Sequence, residues 1–234
     1  MILSPRKQAV IFDLDGTLVN TLESLAWFAN QAMAHFGLPA DFPAENFRYY
    51  TGEGTRVLFQ RLLAEAGLPE EPWLERLLPY YLRIYGQGCL ERVRIYPGVP
   101  ELLSRLRRGG LRLAVLSNKP EEMVQKMIPA LFGDGLFEIL AGNRPDVPRK
   151  PDPQGLKLIL EKLGLSADAA VYAGDTATDL RTGRAAGVFT AGVAWGFRQE
   201  AELRALHPEA LIRRPGQLAD LLGLGENQEM VNQR

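Results

Sequence analysis

The chain has 234 residues, of which 46% are hydrophobic, so it can bury the core of one large domain or of one domain that carries an insertion. Its 27 basic and 28 acidic side chains nearly balance and form no basic block, which argues against nucleic acid as a partner and favours a small molecule. Cys89 is the single cysteine, which excludes an intramolecular disulfide and a Cys-x-x-Cys zinc or redox motif.

The presence of a single cysteine fits a reducing compartment, and we expect the cytoplasm as the default location. The apolar run that precedes Asp13 has four residues, too few for a signal peptide or a membrane span, so we expect no membrane partner. The sequence leaves the oligomeric state open between a monomer and a homodimer.

Short apolar runs recur along the chain and predict five buried strands: Ala9–Phe12, Leu113–Leu116, Phe137–Ala141, Ala170–Ala173 and Phe189–Val193. Helical periodicity occurs between most of these runs, as in Val99–Arg108, where Val99, Leu102 and Leu106 share one face. Such alternation favours an α/β fold with a parallel sheet and crossover helices.

The interval 20–93 departs from this alternation, because it contains no convincing strand. It predicts helices at Thr21–Phe36, Thr55–Ala66 and Pro72–Tyr85, separated by two Gly-Leu-Pro turns. We therefore expect a core formed by residues 1–19 and 94–224, a helical insertion over 20–93, and a polar, flexible tail over 225–234.

The most informative motif follows the first predicted strand and reads Asp13-Leu14-Asp15-Gly16-Thr17-Leu18. Side chains two residues apart in an extended segment point the same way, so Asp13 and Asp15 should converge on one small volume. Two carboxylates held together favour a hard cation such as Mg²⁺. The alternative is an ordinary polar turn after a strand, since Asp and Gly both favour turns.

Three further groups of polar residues lie at or beyond the ends of predicted strands: Ser117-Asn118, Lys150, and Gly174-Asp175 with Asp179. In a parallel sheet the carboxyl ends of the strands share one edge, so these groups should meet the Asp13 motif. Each has an ordinary explanation when taken alone, namely a helix N-cap, a solvated lysine and an acidic first turn of a helix.

Taken together and in this order, the four groups resemble the motifs of the haloacid dehalogenase superfamily. The resemblance spans the whole core, and the helical insertion after the first motif is similar to the family's cap of the first type. It implies a doubly wound, Rossmann-like parallel sheet with an inserted all-helical cap domain.

The resemblance also implies an Mg²⁺-dependent phosphoryl transfer in which Asp13 attacks phosphorus and becomes a phospho-aspartate, while Asp15 acts as general acid and base. It implies a metal site formed by the carboxylates of Asp13 and Asp175 and the backbone carbonyl of Asp15. The residues expected to hold the phosphate or support the site are Thr17, Ser117, Asn118, Lys150 and, in support of the lysine or a metal-bound water, Asp179. Since Asp15 supplies an acid and base for phosphate esters, a phosphatase is favoured over a dehalogenase.

The segment Thr51–Arg56 resembles the cap loop of the phosphoglycolate phosphatase family, and Ser117–Pro120 and Trp195–Phe197 are similar to that family as well. Gly52 would let the backbone approach a ligand, and Arg56 could pair with a substrate carboxylate. This implies hydrolysis of 2-phosphoglycolate to glycolate and phosphate. The alternative activities are those of an inorganic pyrophosphatase, another small-molecule phosphatase or a phosphosugar mutase. The alternative for the segment Thr51–Arg56 is a plain interhelical turn with a solvated arginine.

A protein of another class also uses an acidic pocket, a hydroxyl and a lysine: the regulatory receiver module that is phosphorylated on an aspartate. The order of motifs argues against it, because receivers carry the acceptor aspartate in a later strand and have no helical insertion. A dinucleotide-binding enzyme is weaker still, since no Gly-x-Gly-x-x-Gly follows a strand and no P-loop motif is present.

Overall fold

The computed structural model describes Leu3 and residues 7–225. Most of the tail expected over 225–234, from residue 226 onward, lies outside the described residues, as do residues 1, 2 and 4–6. In the described part of the chain the strands are β1 Ala9–Phe12, β2 Val19–Asn20, β3 Arg94–Ile95, β4 Arg112–Pro120, β5 Ile139–Asn143, β6 Ala170–Gly174, β7 Phe189–Val193 and β8 Ala210–Ile212.

The α-helices of the same part of the chain are α1 Leu22–His35, α2 Phe47–Tyr50, α3 Thr55–Glu65, α4 Trp73–Gly88, α5 Val99–Arg108, α6 Glu121–Phe132, α7 Gln154–Leu163, α8 Ala177–Ala186, α9 Glu200–Arg204 and α10 Gly216–Leu221. Among the described residues, no helix has the length and apolar character that a membrane crossing requires.

The main sheet has six parallel strands in the order β5-β4-β1-β6-β7-β8. Its central strand β1 is buried on both faces, as expected for a run of four apolar residues in a parallel sheet. Val10 and Phe12 pack in the layer that contains α5, α6 and α10, whereas Ala9 and Ile11 pack in the layer that contains α7. Helices therefore cover both faces, which confirms the predicted doubly wound α/β core.

Two expectations about strands need correction. The strand expected at Phe137–Ala141 begins two residues later, at Ile139, and β4 continues past Leu116 to Pro120. The edge strand β8 was not predicted from the sequence, because it has only three residues and two of them are half-buried, which leaves little apolar pattern. A second, two-stranded antiparallel sheet pairs β2 with β3 and joins the two ends of the helical insertion.

The helices α1 to α4 all lie in the chain between β2 and β3. They pack around a hydrophobic cluster of their own, which includes Phe28, Phe47, Phe59, Tyr81 and Tyr85. Met123 and Met127 of α6, together with Phe197, join this cluster from the side of the sheet. The three helices expected here are present, and each begins and ends within three residues of its expected bounds. The four-residue helix α2 was not expected.

The register of the sheet explains how distant polar residues come together. Phe12 at the end of β1 pairs with Val115 of β4 on one side and with Ala173 of β6 on the other. The residues that follow these three positions therefore emerge at the same carboxyl edge, and the Asp13 amide donates to the Ala173 carbonyl at 2.9 Å.

Candidate active site

A cavity of about 50 Å³ lies between this edge of the sheet and the helical insertion. The core side of its lining includes Asp13, Asp15, Ser117, Asn118, Lys119 and Lys150, and the insertion side includes Leu25, Thr51, Gly52, Gly54, Thr55, Leu58, Tyr81 and Tyr85. Three of the four expected groups therefore contribute to one cavity, and the fourth, with Asp175 and Asp179, lies directly behind it.

Lys150 is the centre of the buried charges. Its Nζ lies 2.8 Å from Oδ1 of Asp13 and 2.7 Å from Oδ1 of Asp179, and it donates to the Tyr172 hydroxyl at 3.1 Å. Burial alone would lower the pKa of the ammonium, but the two carboxylates outweigh it and raise that pKa above its usual value. The lysine is therefore charged and fixed, although it lies in a loop, seven residues after the end of β5.

Asp179 supports the lysine, as expected, and also caps α8. Its Oδ2 accepts from the backbone N–H of Thr176 at 3.0 Å and from the Thr176 hydroxyl at 2.6 Å, and its Oδ1 accepts from Tyr172 at 2.8 Å. Burial acts to raise the pKa of Asp179, but the charge and hydrogen bond of Lys150 lower it below its usual value. The acidic first turn of α8 thus serves as a helix cap and as the anchor of Lys150 at once.

Asp175 is held by two donors. The Thr17 hydroxyl donates to its Oδ1 at 3.0 Å and the Phe197 amide donates to its Oδ2 at 2.8 Å. Thr17, expected to bind substrate, therefore orients this carboxylate. Gly16 and Gly196 press against Asp175 so closely that a Cβ at either position would overlap it.

Asp13, Asp175 and Asp179 each place a carboxylate oxygen within 4.8 Å of the other two. Burial, followed by the negative charge of Asp179, raises the pKa of Asp13 well above its usual value and that of Asp175 to about 7. Lys150 supplies one positive charge for these three carboxylates, so ionising all of them is costly without a cation, and a set of oxygen ligands alone suits a hard ion such as Mg²⁺. The residues present therefore fit a divalent cation.

The side chain of Asp15 does not belong to this acidic group. Its carboxylate accepts from Lys119 Nζ at 3.1 and 3.0 Å and from the Thr21 hydroxyl at 2.8 Å. This orientation is compatible with the expectation that Asp15 contributes its backbone carbonyl to the metal. Lys119, which also donates to the Tyr85 hydroxyl at 2.6 Å, was not singled out from the sequence, although it follows Ser117-Asn118 directly.

Asn118 was expected to bind substrate, but its amide is engaged within the protein. It donates to the carbonyls of Gly52 and Lys150, at 2.9 and 3.0 Å, and accepts from the Lys150 amide at 2.9 Å. Ser117 is buried and lines the cavity, whereas Arg56 is exposed and is not part of the lining. The structure thus brings together every expected site residue except Arg56.

The family model described as haloacid dehalogenase-like hydrolase matches residues 10–193, which is most of the chain and every motif of this site. The chain therefore belongs to the haloacid dehalogenase-like hydrolase family. It is an enzyme of the phosphatase type, as the family and its named relatives indicate.

Among its relatives, a phosphoglycolate phosphatase from Rhodospirillum rubrum is 36% identical over 208 residues, which cover 85% of each chain. A phosphoglycolate phosphatase from Aquifex aeolicus is 30% identical over 215 residues, covering 92% of this chain and 96% of the relative. The crystal structure of a predicted phosphoglycolate phosphatase from Haemophilus somnus superposes with a TM-score of 0.86 at 27% identity, covering 94% of this chain and 99% of the other.

Proposed function

We propose that the chain hydrolyses 2-phosphoglycolate to glycolate and phosphate through a phospho-aspartate on Asp13, with Mg²⁺ as cofactor. The observation that carries the proposal is the contact between Asp13 and Lys150 at the floor of a small cavity that Asp15 also lines. Relatives of comparable length that are 30% and 36% identical to the chain are named for this substrate.

Asp13 is suited to attack phosphorus through one particular oxygen. Its Oδ1 accepts from the Leu14 amide at 2.7 Å and contacts Lys150 at 2.8 Å, so within the described residues Oδ2 keeps a free lone pair. Attack by Oδ2 forms the aspartyl–phosphorus bond as the bond to the alkoxide oxygen breaks. Ser117 and Lys150 would hold the remaining phosphoryl oxygens, where fixed donors stabilise the charge of the transition state.

Asp15 is suited to move the proton. It donates a proton to the departing alkoxide oxygen of glycolate, and the resulting carboxylate then takes a proton from the water that attacks the phospho-aspartate. That second attack releases phosphate and restores the Asp13 carboxylate. Two easier steps replace one slow hydrolysis.

The carboxylates of Asp13 and Asp175 and the backbone carbonyl of Asp15 would hold Mg²⁺, with Asp179 and Thr17 fixing the surrounding side chains. The ion supplies positive charge that neutralises the nucleophile and the phosphate when bound. Asp175 cannot shift far, because the Thr17 hydroxyl and the Phe197 amide each hold one of its oxygens, and Gly16 and Gly196 lie against it. This rigidity favours a small ion that demands regular geometry.

We also propose that residues 20–93 act as a cap domain over a core formed by residues 1–19 and 94–224. The insertion supplies the apolar side of the cavity, through Leu58, Tyr81 and Tyr85, and would exclude water from the phospho-aspartate. Small-angle scattering with and without beryllofluoride and Mg²⁺ tests this assignment. A smaller radius of gyration with the analogue is expected, and identical dimensions would count against a mobile cap.

The activity is assayed as phosphate release with Mg²⁺ from 2-phosphoglycolate, pyrophosphate, phosphoserine and β-glucose 1-phosphate. We expect 2-phosphoglycolate to have the highest kcat/KM, and Asp13→Asn to lose about 10⁴-fold or more, because an amide is a poor nucleophile. A preference for pyrophosphate would indicate a pyrophosphatase instead, and isomerisation of the sugar phosphate would indicate a phosphosugar mutase. A stable, stoichiometric aspartyl phosphate without turnover would indicate a regulatory module.

The cytoplasm is the compartment we propose for this activity, because the chain has a single cysteine, Cys89, and a chain without disulfides suits a reducing compartment. Fractionation of the producing cell, with activity followed in each fraction, tests the location.

A further inference from the structure

Lys119 differs from the other charged groups of the site in what surrounds it. Its side chain is 2% exposed, and its ammonium is shared between the Asp15 carboxylate of the core and the Tyr85 hydroxyl of the helical insertion. The ammonium also lies 4.7 Å from the centre of the Tyr85 ring, as a cation over an aromatic face. Burying the Lys119 ammonium costs free energy unless a negative group compensates its charge, so we expect the ammonium to interact with an anion in the working enzyme.

The cations of the cavity divide into two kinds. Within the described residues, Lys119 and Lys150 are the only basic side chains in its lining. Lys150 is already neutralised by Asp13 and Asp179 on the phosphoryl side. Lys119 is paired with one carboxylate, that of Asp15, which meets the leaving-group oxygen in the proposed reaction, so its ammonium lies on the leaving-group side.

The rest of the leaving-group side offers little to an anion except the start of α3. Leu58, Tyr81 and Tyr85 form its apolar wall, and Gly54 and Thr55 at the start of α3 complete it. The first turn of α3 carries no acidic residue and no side-chain cap, so its N–H groups add to the positive potential there. A small leaving group with one negative charge fits this wall better than a neutral or a bulky one.

We propose that Lys119 is the specificity-determining residue of this enzyme, and that its ammonium binds the carboxylate of a small phosphorylated hydroxy acid. The proposal rests on the proposed function and deepens it. An ammonium has three N–H donors, and Asp15 and Tyr85 occupy them in the structure. A substrate carboxylate that takes over one donor from Asp15 is held in place, and one oxygen of Asp15 is freed toward the leaving-group oxygen.

The test compares 2-phosphoglycolate with 2-hydroxyethyl phosphate, which has the same chain length and lacks the carboxylate. For Lys119→Met, we expect the ratio of kcat/KM values for the two substrates to fall about 10- to 150-fold, the worth of a hydrogen bond to a charged group. Lys119→Arg should recover part of the ratio. Lys126→Met is the matched control, because Lys126 binds backbone carbonyls of Gly86 and Gln87 away from the cavity, and should leave the ratio unchanged.

Equal losses on both substrates would overturn the proposal, since Lys119 would then act only by positioning Asp15, while the proposed function would stand. A fall in the ratio for Arg56→Ala with none for Lys119→Met would overturn it too and assign the carboxylate to Arg56. If the wild-type enzyme hydrolysed neither substrate, the proposed function itself would be refuted.

Should Lys119→Met be inactive toward both substrates, calorimetric titration with each compound in the presence of Mg²⁺ decides. Weaker binding of 2-phosphoglycolate alone supports the proposal, and equally weakened or unchanged binding of the two contradicts it.

Discussion

The Asn118 amide nitrogen donates to the Gly52 carbonyl at 2.9 Å, which joins the end of β4 to the loop that enters α3. The same side chain makes two hydrogen bonds to the backbone of Lys150. One residue thus links the helical insertion, the second motif and Lys150. Its position couples the placement of the insertion to the placement of the Lys150 ammonium.

Asn118→Ala should therefore lower kcat/KM by about 10²-fold, because a displacement of about 1 Å at the reacting groups has that effect. It should also lower the free energy of unfolding by about 1–3 kcal/mol, since buried backbone groups lose their partners. Steady-state kinetics and urea denaturation measure the two effects. Asn30→Ala is the control: Asn30 makes two hydrogen bonds to Phe42 within the insertion, so it should cost stability and spare kcat/KM. Equal kinetic losses for both variants would contradict the coupling.

Asp179→Asn tests the buried pair with Lys150. The amide keeps the shape but removes the charge, leaving Lys150 with Asp13 alone, so we expect kcat to fall and the free energy of unfolding to drop by about 3 kcal/mol or more. Glu200→Gln, which removes the pairs of a half-exposed carboxylate with Arg204 and Arg213 at the surface, should leave kcat unchanged and lower the free energy of unfolding far less. An Asp179→Asn variant as stable and active as wild type would show that the pair is dispensable.

The pKa of Asp175, raised to about 7 by burial and by Asp179, predicts a pH-dependent effect of Mg²⁺. A carboxyl group whose folded pKa lies above its unfolded value of about 4 stabilises the fold fully only below about pH 4, and this contribution is lost as pH rises to about 7. Mg²⁺ binds the ionised form, so the rise in Tm that it causes should grow from pH 5 to pH 8. Differential scanning fluorimetry with Mg²⁺ or EDTA measures it.

Asp175→Asn is the matched variant for this experiment, since it keeps the shape of the side chain and cannot ionise. The Mg²⁺-dependent rise in Tm should become small and independent of pH. A wild-type rise of the same size at pH 5 and pH 8 would argue that the acidic group does not bind the ion.

Gly16→Ala tests the close contact behind the proposed metal site. Gly16 has φ of 90°, and a Cβ there would overlap the Asp175 carboxylate, so the variant should lose Mg²⁺ binding and most activity. Gly110→Ala is the control, because Gly110 has φ of 78° with nothing within 4 Å of the added carbon. Gly110→Ala thus isolates the strain of a side chain at positive φ, about 1–2 kcal/mol, and should retain activity. Similar activities for the two variants would contradict the steric argument.

The sequence alone determined the parallel core and the polar residues that gather at its edge, since both depend on local patterns. Ala9–Phe12 is apolar throughout, which is typical of a strand buried on both faces, and the carboxylates that follow it must emerge at the carboxyl edge of a parallel sheet. For the same reason Asp13, Ser117, Lys150 and Asp175 could be grouped before any distance was known. The short strand β8 and the helix α2 carry too few residues for a periodic signal, so only the structure revealed them.

Tertiary structure decided which partner each polar side chain takes, because that depends on segments far apart in the chain. It turned Asp15 toward Lys119, used Thr17 to hold Asp175, and engaged Asn118 with the loop at Gly52. It also left Arg56 exposed on α3 and buried Lys119 beside Tyr85, a pairing across 34 positions of sequence that no local pattern encodes. Burial then set the pKa of Asp175, since the cost of ionising a carboxyl group depends on what surrounds it in the folded chain.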